Sequence, residues 1–258
     1  MSTWKNKTIL ITGGAGGLGM AVAARFLRDG ANVMLADLSA ERLSATVIQL
    51  GAHERTGTSA IDLTRVADCA RMVEETLDRF GQIDVLVNAA GIWVEGAPDE
   101  VSEEDWDRCM DVNLKGLFFA CRYAIPHLEK TRGSIVNISS DAGLQGNTGA
   151  SVYCASKGGV VILSKTLALD LAKRGIRVNA VCPCDIQTPM IEYQARTYGG
   201  GDASGYYRNL LMEYPQGESA RFAHPEEIAE FIFCISSPML APLTGAALAI
   251  DFALSAGH

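Results

Sequence analysis

No apolar run in this sequence approaches the roughly 20 residues needed to cross a bilayer, so no membrane span is expected. Basic charge is also scarce: 22 Lys and Arg are scattered among 30 Asp and Glu, for a formal net charge of -8. That balance argues against non-specific binding to nucleic acid and gives no basic patch for an acidic partner. The start, MSTWKNKTIL, is charged but lacks the apolar core and small-residue cleavage site of a secretory leader, so a cytoplasmic protein is expected. The seven cysteines are odd in number and irregularly spaced, which predicts reduced thiols rather than a disulfide framework. Two of them, Cys182 and Cys184, stand in VCPCDIQTPM, but C-x-C with no nearby histidine offers too few ligands for a metal. No metal is expected.

What is present is apolar and rhythmic. Hydrophobic residues make up 48% of 258, enough for a sizeable core in a chain of single-domain length. Short β-branched runs at 7–12, 31–37, 55–62, 83–91, 133–140 and 176–183 predict strands, and 247–251 a seventh. Helical patterns lie between them. In 66–80, Val66, Cys69, Ala70, Val73, Leu77 and Phe80 recur at three and four, one face of a helix. Such alternation implies an α/β fold: a doubly wound parallel sheet of about seven strands, a Rossmann fold with helices on both faces. No linker or repeat divides residues 1–258, which read as one domain. Residues 191–217, with a triple glycine and five tyrosines, are predicted as a mobile loop with helical pieces.

ILITGGAGGLG places a strand, a glycine-rich turn and a helix start in succession, with glycines at 13, 17 and 19. Glycine lets the backbone approach a pyrophosphate, and the helix N-terminus offers it free N–H groups. Asp37 ends the second strand about 20 residues later, where a carboxylate can accept from ribose hydroxyls and repel a 2′-phosphate. Neither Leu38 nor the glycine turn supplies a cation for such a phosphate, so NAD is expected over NADP. The bland alternative is that Asp37 caps a helix.

Tyr153 and Lys157 stand four apart at the start of an Ala- and Gly-rich helix and share one face. An ammonium near a phenol favours the phenolate, which makes tyrosine usable as a general acid or base. Ser140 ends a strand 13 residues earlier, where its hydroxyl can hold a carbonyl or alcohol oxygen.

TGGAGGLG (12–19), Asp62, NAAG (88–91), Asn113, Ser140, YCASK (153–157) and RVNAVCP (177–183) together resemble the short-chain dehydrogenase/reductase family, in order and over nearly the whole chain. The resemblance implies an oxidoreductase that interconverts a secondary alcohol and a ketone. It implies Tyr153 as the proton carrier and Lys157 as the group that lowers its pKa and binds the nicotinamide ribose. Ser140, chosen over Ser139, would hold the substrate oxygen, and Asn113 would support a water-linked proton relay. It further implies cofactor contacts from Gly13, Gly16, Gly17, Leu18, Asp62, Leu63, Asn88, Gly91, Pro183, Ile186 and Thr188, and a homo-oligomer, tetramer or dimer. Three departures stand out: Ala89 where many relatives have a second Asn, Cys184 where glycine follows Pro183, and Phe252-Ala253 where Gly-Gly follows the aspartate at 251. Cys184 is accordingly expected partly exposed beside the cofactor and open to thiol reagents.

The family places substrate selection after the sixth strand. Here Arg196 and the tyrosines suit a polar or anionic substrate, and Trp93, Gln145 and Asn147 add a stacking face and polar contacts. A sugar, polyol or hydroxy acid is expected; packing of subunits is the other reading of the tyrosines. Two rival functions stand beside this one: an NADPH-dependent 3-ketoacyl-thioester reductase, and a nucleotide-binding regulator without catalysis.

Overall fold

The apolar runs pair into one parallel sheet in the computed structural model, which describes residues 4–257. The strands are β1 (Thr8–Thr12), β2 (Asn32–Asp37), β3 (Thr56–Ala60), β4 (Val85–Asn88), β5 (Ser134–Ile138), β6 (Arg177–Pro183) and β7 (Ala247–Ile250). Their spatial order is β3-β2-β1-β4-β5-β6-β7, all parallel. The chain order reverses between β1 and β4, which opens a crevice at the carboxyl ends of those strands.

The helices are α1 (Gly17–Arg28), α2 (Ala40–Leu50), α3 (Val66–Phe80), α4 (Glu103–Met110), α5 (Leu117–Thr131), α6 (Ser151–Leu171), α7 (Pro189–Tyr198), α8 (Ala203–Met212) and α9 (Pro225–Ser236). Alternation within β1 shows how one sheet supports two cores. Ile9 and Ile11 join the apolar layer with Val22 and Phe26 of α1 and Ile232 of α9. Leu10 joins the opposite layer with Met72 of α3, Ala124 of α5 and Val160 of α6. Successive side chains leave a strand on opposite faces, so both faces must be covered.

The helix expected at 66–80 forms as α3, with Leu77 and Phe80 packed on the core, and the loop expected at 191–217 is largely helical. On α3 the buried stripe is Cys69, Met72, Val73 and Thr76; Val66, Ala70, Leu77 and Phe80 flank it half-buried. Thr76 can face inward because its hydroxyl donates to the Met72 carbonyl at 2.6 Å. Residues 191–217 are mostly helical: α7 and α8 pack on each other, joined through Gly199–Asp202. Pro189 starts α7 and the Asp202 side chain caps α8 by accepting from Gly205 N at 2.8 Å.

By length and composition alone, Ser151–Arg174 is long and apolar enough to cross a membrane. Here that stretch packs on β5 and β6 and buries Tyr153 and Lys157. A buried amide ladder fixes it to the sheet. Asn88 Nδ2 donates to Asn137 Oδ1 at 2.8 Å, and Asn137 Nδ2 donates to Ser164 Oγ at 2.9 Å.

Phe252 and Ala253 both sit at positive φ, 53° and 65°, where a Cβ is strained. This explains why glycines suit the two positions after Asp251. Ala253 is exposed and gives up little burial, so Ala253→Gly is expected to stabilise the protein by about 1 kcal/mol. Urea denaturation checks it: an unchanged or lower midpoint would refute the strain argument.

Candidate active site

The crevice at the β1–β4 switch deepens into a cavity of about 920 Å³ that runs from the glycine turn to α7 and α8. Its dinucleotide end is built from backbone. Gly13 has φ of 67°, and a Cβ there would fall 2.8 Å from the Ala90 backbone, so a side chain is excluded. Gly16, Gly17 and Leu18 continue the wall at the start of α1. A Cβ on Gly17 would meet Thr188 Cγ2 at 2.8 Å, so the loop after β6 closes against the glycine turn.

Asp37 lies at the end of β2 on this wall, where its Oδ2 accepts from Ala15 N at 3.0 Å. It caps no helix: Ser39 does, accepting from Arg42 N at 3.2 Å. Asp62, Leu63 and Gly91 line the same trough, with Asp62 Oδ1 held by Thr64 N and Oγ1 at 2.9 and 2.7 Å. One correction concerns charge. Arg42, in the first turn of α2, lines the cavity and donates to the Ala15 carbonyl at 2.7 Å. A cation therefore stands near Asp37, supplied by a helical turn and not by Leu38 or the glycine turn.

Asn88 does not line the cavity; it braces β4 against β5, and its buried Oδ1 has no partner among the described residues. Asn113 is fully buried. It sits in a π-helical turn, Asp111–Gly116, between α4 and α5. Its Oδ1 accepts from Ile92 N at 2.8 Å, and its Nδ2 donates to Ile92 O at 3.0 Å and Ser156 Oγ at 3.1 Å. The side chain clamps the loop after β4, which leaves only the Asn113 backbone for a water-linked relay.

Tyr153, Ser140 and Lys157 line the middle of the cavity, all buried. Ser139 instead donates its hydroxyl to the Lys157 carbonyl at 2.8 Å. Lys157 Nζ donates to the Ile138 carbonyl at 2.9 Å and lies 5.6 Å from the Tyr153 ring centroid. Burial pulls the Lys157 ammonium down to about 8. The Tyr153 phenol is raised, by burial first and by Asp141 next, against a lowering hydrogen bond with Ser140. Burial and the Asp141 carboxylate thus act against the lowering of the phenol expected from Lys157.

The substrate end is acidic. Glu95, Asp141, Asp185 and Glu213 line it, and among the described residues none of them makes an ion pair. Asp185 is raised to about 6 by burial and by Asp141, although the Tyr214 hydroxyl donates to its Oδ2 at 3.0 Å. Glu95 Oε2 accepts from Trp93 Nε1 at 2.9 Å and from the Tyr206 hydroxyl of α8 at 2.8 Å. Trp93 packs against Tyr153 with ring centroids 4.4 Å apart and planes tilted by 52°.

The tyrosines divide between two roles. Tyr193, Tyr198 and Tyr206 face the cavity, whereas Tyr207 packs on Phe222 and Tyr214 is buried in the core. Asn147 lines the cavity and Gln145 lies in a neighbouring one. Arg196 is exposed on α7 and lines neither, so it supplies no anion contact. Pro183, Cys184 and Ile186 form the loop over the middle of the cavity. Cys184 is only 5% exposed and burial pushes its thiol up to about 11, which corrects the expectation of a reagent-sensitive group. The exposed cysteine is Cys234.

Comparison with known proteins agrees with this geometry. Residues 7–199 match the family model for short chain dehydrogenases. A 3-oxoacyl-(acyl-carrier-protein) reductase of Thermotoga maritima is 39% identical over 252 residues, 96% of this chain and 97% of that protein. The meso-2,3-butanediol dehydrogenase of Serratia marcescens is 36% identical over 247 residues, 95% and 93% of the two chains. Among solved structures, a 3-ketoacyl-(acyl-carrier-protein) reductase of Brucella melitensis complexed with NADH superposes with a TM-score of 0.85 at 29% identity, covering 97% of this chain and 99% of that one.

Proposed function

We propose, on the premise that this chain belongs to the short-chain dehydrogenase/reductase family, that it is an NAD-dependent enzyme interconverting a small polar secondary alcohol and its ketone. The observation that carries this reading is one continuous cavity. It joins the glycine turn and Asp37 at one end to Tyr153, Ser140 and Lys157 in the middle.

The backbone around Gly13 leaves no room for a Cβ, which fits a wall meant for a close-lying pyrophosphate. Gly16, Gly17, Leu18, Asp37, Asp62, Leu63, Gly91, Pro183, Ile186 and Thr188 are the residues that would hold the dinucleotide. When bound, it supplies or accepts the hydride. This chain handles the proton. Tyr153 gives it to the substrate oxygen in reduction and takes it in oxidation, while Ser140 holds that oxygen. Trp93 covers the Tyr153 ring and, with the Pro183–Ile186 loop, keeps water from the reacting atoms.

The acidic substrate end narrows the substrate. With Arg196 outside, Arg108 on the wall but paired with Asp105 at 2.8 Å, and four carboxylates inside that make no ion pair among the described residues, a sugar or polyol suits the wall better than a hydroxy acid, whose charge these groups would repel. A 3-ketoacyl-thioester reductase is the second reading, favoured by the 39% identical relative.

A screen of NAD and NADP reduction across sugars, polyols, hydroxy acids and a 3-hydroxyacyl thioester separates them. Asp37 leads us to expect kcat/KM for NAD about tenfold or more above NADP, despite Arg42. Neutral alcohols should exceed carboxylates of the same skeleton by about tenfold. A preference for NADP, or for the thioester, would overturn the respective half of this reading.

A further inference from the structure

Ser140 has an unusual neighbour. Its hydroxyl donates to Asp141 Oδ1 at 2.7 Å, and its oxygen accepts from Ala142 N at 3.2 Å. A serine hydroxyl has one proton and two acceptor sites. The proton is therefore committed to a carboxylate, one acceptor site is filled, and one acceptor site remains for the cavity. Asp141 cannot easily swing away. Its Oδ2 accepts from Asn147 Nδ2 at 3.1 Å and Gln145 Nε2 at 3.5 Å, and it is only 6% exposed. Among the described residues no cation pairs with it.

We propose that Asp141 is a positioning residue: it accepts the hydrogen bond from the Ser140 hydroxyl, presents Ser140 to Tyr153 and substrate as an acceptor, and sets a carboxylate beside the Tyr153 phenol. The proposal rests on the reading of Tyr153 as the proton carrier. It assigns Gln145 and Asn147 as well: they hold the carboxylate in place. A carbonyl oxygen has no proton to offer Ser140 and must draw the serine proton away from a charge-assisted bond, so Asp141 competes with a ketone for it. Ser140 can lower the Tyr153 phenol only by donating to it, so with its one proton on Asp141 that lowering bond is forgone and protonated Tyr153 donates to the remaining acceptor site.

The groups facing Tyr153 come from every element around it. Asp141 follows β5, Asp185 follows β6, Cys109 ends α4, and Lys157 lies one turn along α6. Glu95, Arg108 and Glu213 stand further along the wall. Asp141 is the largest charge effect on the phenol and Asp185 a smaller one of the same sign.

The experiment titrates Tyr153 directly in the ligand-free protein, by the phenolate absorbance lost in Tyr153→Phe. Asp141→Asn keeps the shape and removes the charge; its Tyr153 midpoint is expected to fall by about one pH unit, and that of Asp185→Asn by less. The pH profile of alcohol oxidation should move down with it, so that Asp141→Asn oxidises about tenfold faster than wild type well below the midpoint. An unmoved midpoint in a folded Asp141→Asn protein would overturn the proposal, as would a larger shift in Asp185→Asn. A turn-forming role alone would lower stability or kcat at every pH without moving the midpoint. Absence of turnover with every alcohol in the wild type would instead refute the oxidoreductase reading, since the absorbance titration needs no substrate.

Discussion

Tyr153→Phe is expected to lower kcat/KM by about a thousandfold while dinucleotide affinity changes by less than about threefold. The substitution removes one hydroxyl from a buried ring that Trp93 covers at 4.4 Å, so the cavity keeps its shape. Only the group that carries the proton is lost. Steady-state kinetics with the best alcohol from the screen, and calorimetric titration of NAD, check both halves. Turnover within tenfold of wild type would remove Tyr153 from the chemistry.

Lys157→Met is expected to make the protein more stable and nearly inactive at once. Lys157 is 4% exposed, and burial lowers its ammonium from 10.5 to about 8. Below the folded value, the charged form prefers the unfolded chain, and the cost is on the order of 3 kcal/mol. The sign follows from the direction of the shift. The cost is absent above the unfolded value of 10.5, grows as pH falls towards 8, and is constant below it. Methionine has no charge to desolvate, but the Ile138 carbonyl loses its donor, which returns about 1 kcal/mol. A net gain of about 2 kcal/mol is expected at pH 7, reversing to a loss of about 1 kcal/mol above 10.5, where only the missing hydrogen bond counts, with kcat/KM down about a hundredfold or more. Denaturant unfolding of both proteins at neutral and alkaline pH measures it. A wild type that is the more stable at pH 7 would show that the ammonium is better solvated than its burial implies.

These two expectations separate what lies open in a sequence from what does not. The strands at 7–12 and 176–183 are visible because β-branched runs bounded by turn residues are local signals, and the structure holds them as β1 and β6 to within a residue. Residues 191–217 misled because glycines and tyrosines signal a loop. Yet Pro189 and Asp202 start helices there that pack on each other. Arg42 makes a similar point: it stands five positions beyond Asp37, and the first turn of α2 brings it to the Asp37 wall.

The alternation of strands and helices, the glycine turn, and Tyr153 and Lys157 on one helical face are legible in the chain alone. All of these depend on spacing within a few residues, which backbone geometry converts directly into direction. Tertiary packing sets the electrostatics. Glu95 follows β4, Asp141 follows β5, Asp185 follows β6 and Glu213 follows α8, and no spacing in the chain brings them to one wall. It also turned Arg196 outward, buried Cys184 and raised rather than lowered the Tyr153 phenol. Desolvation and Coulomb interaction depend on what packs across the cavity, and the parallel crossovers that set this join residues far apart in sequence.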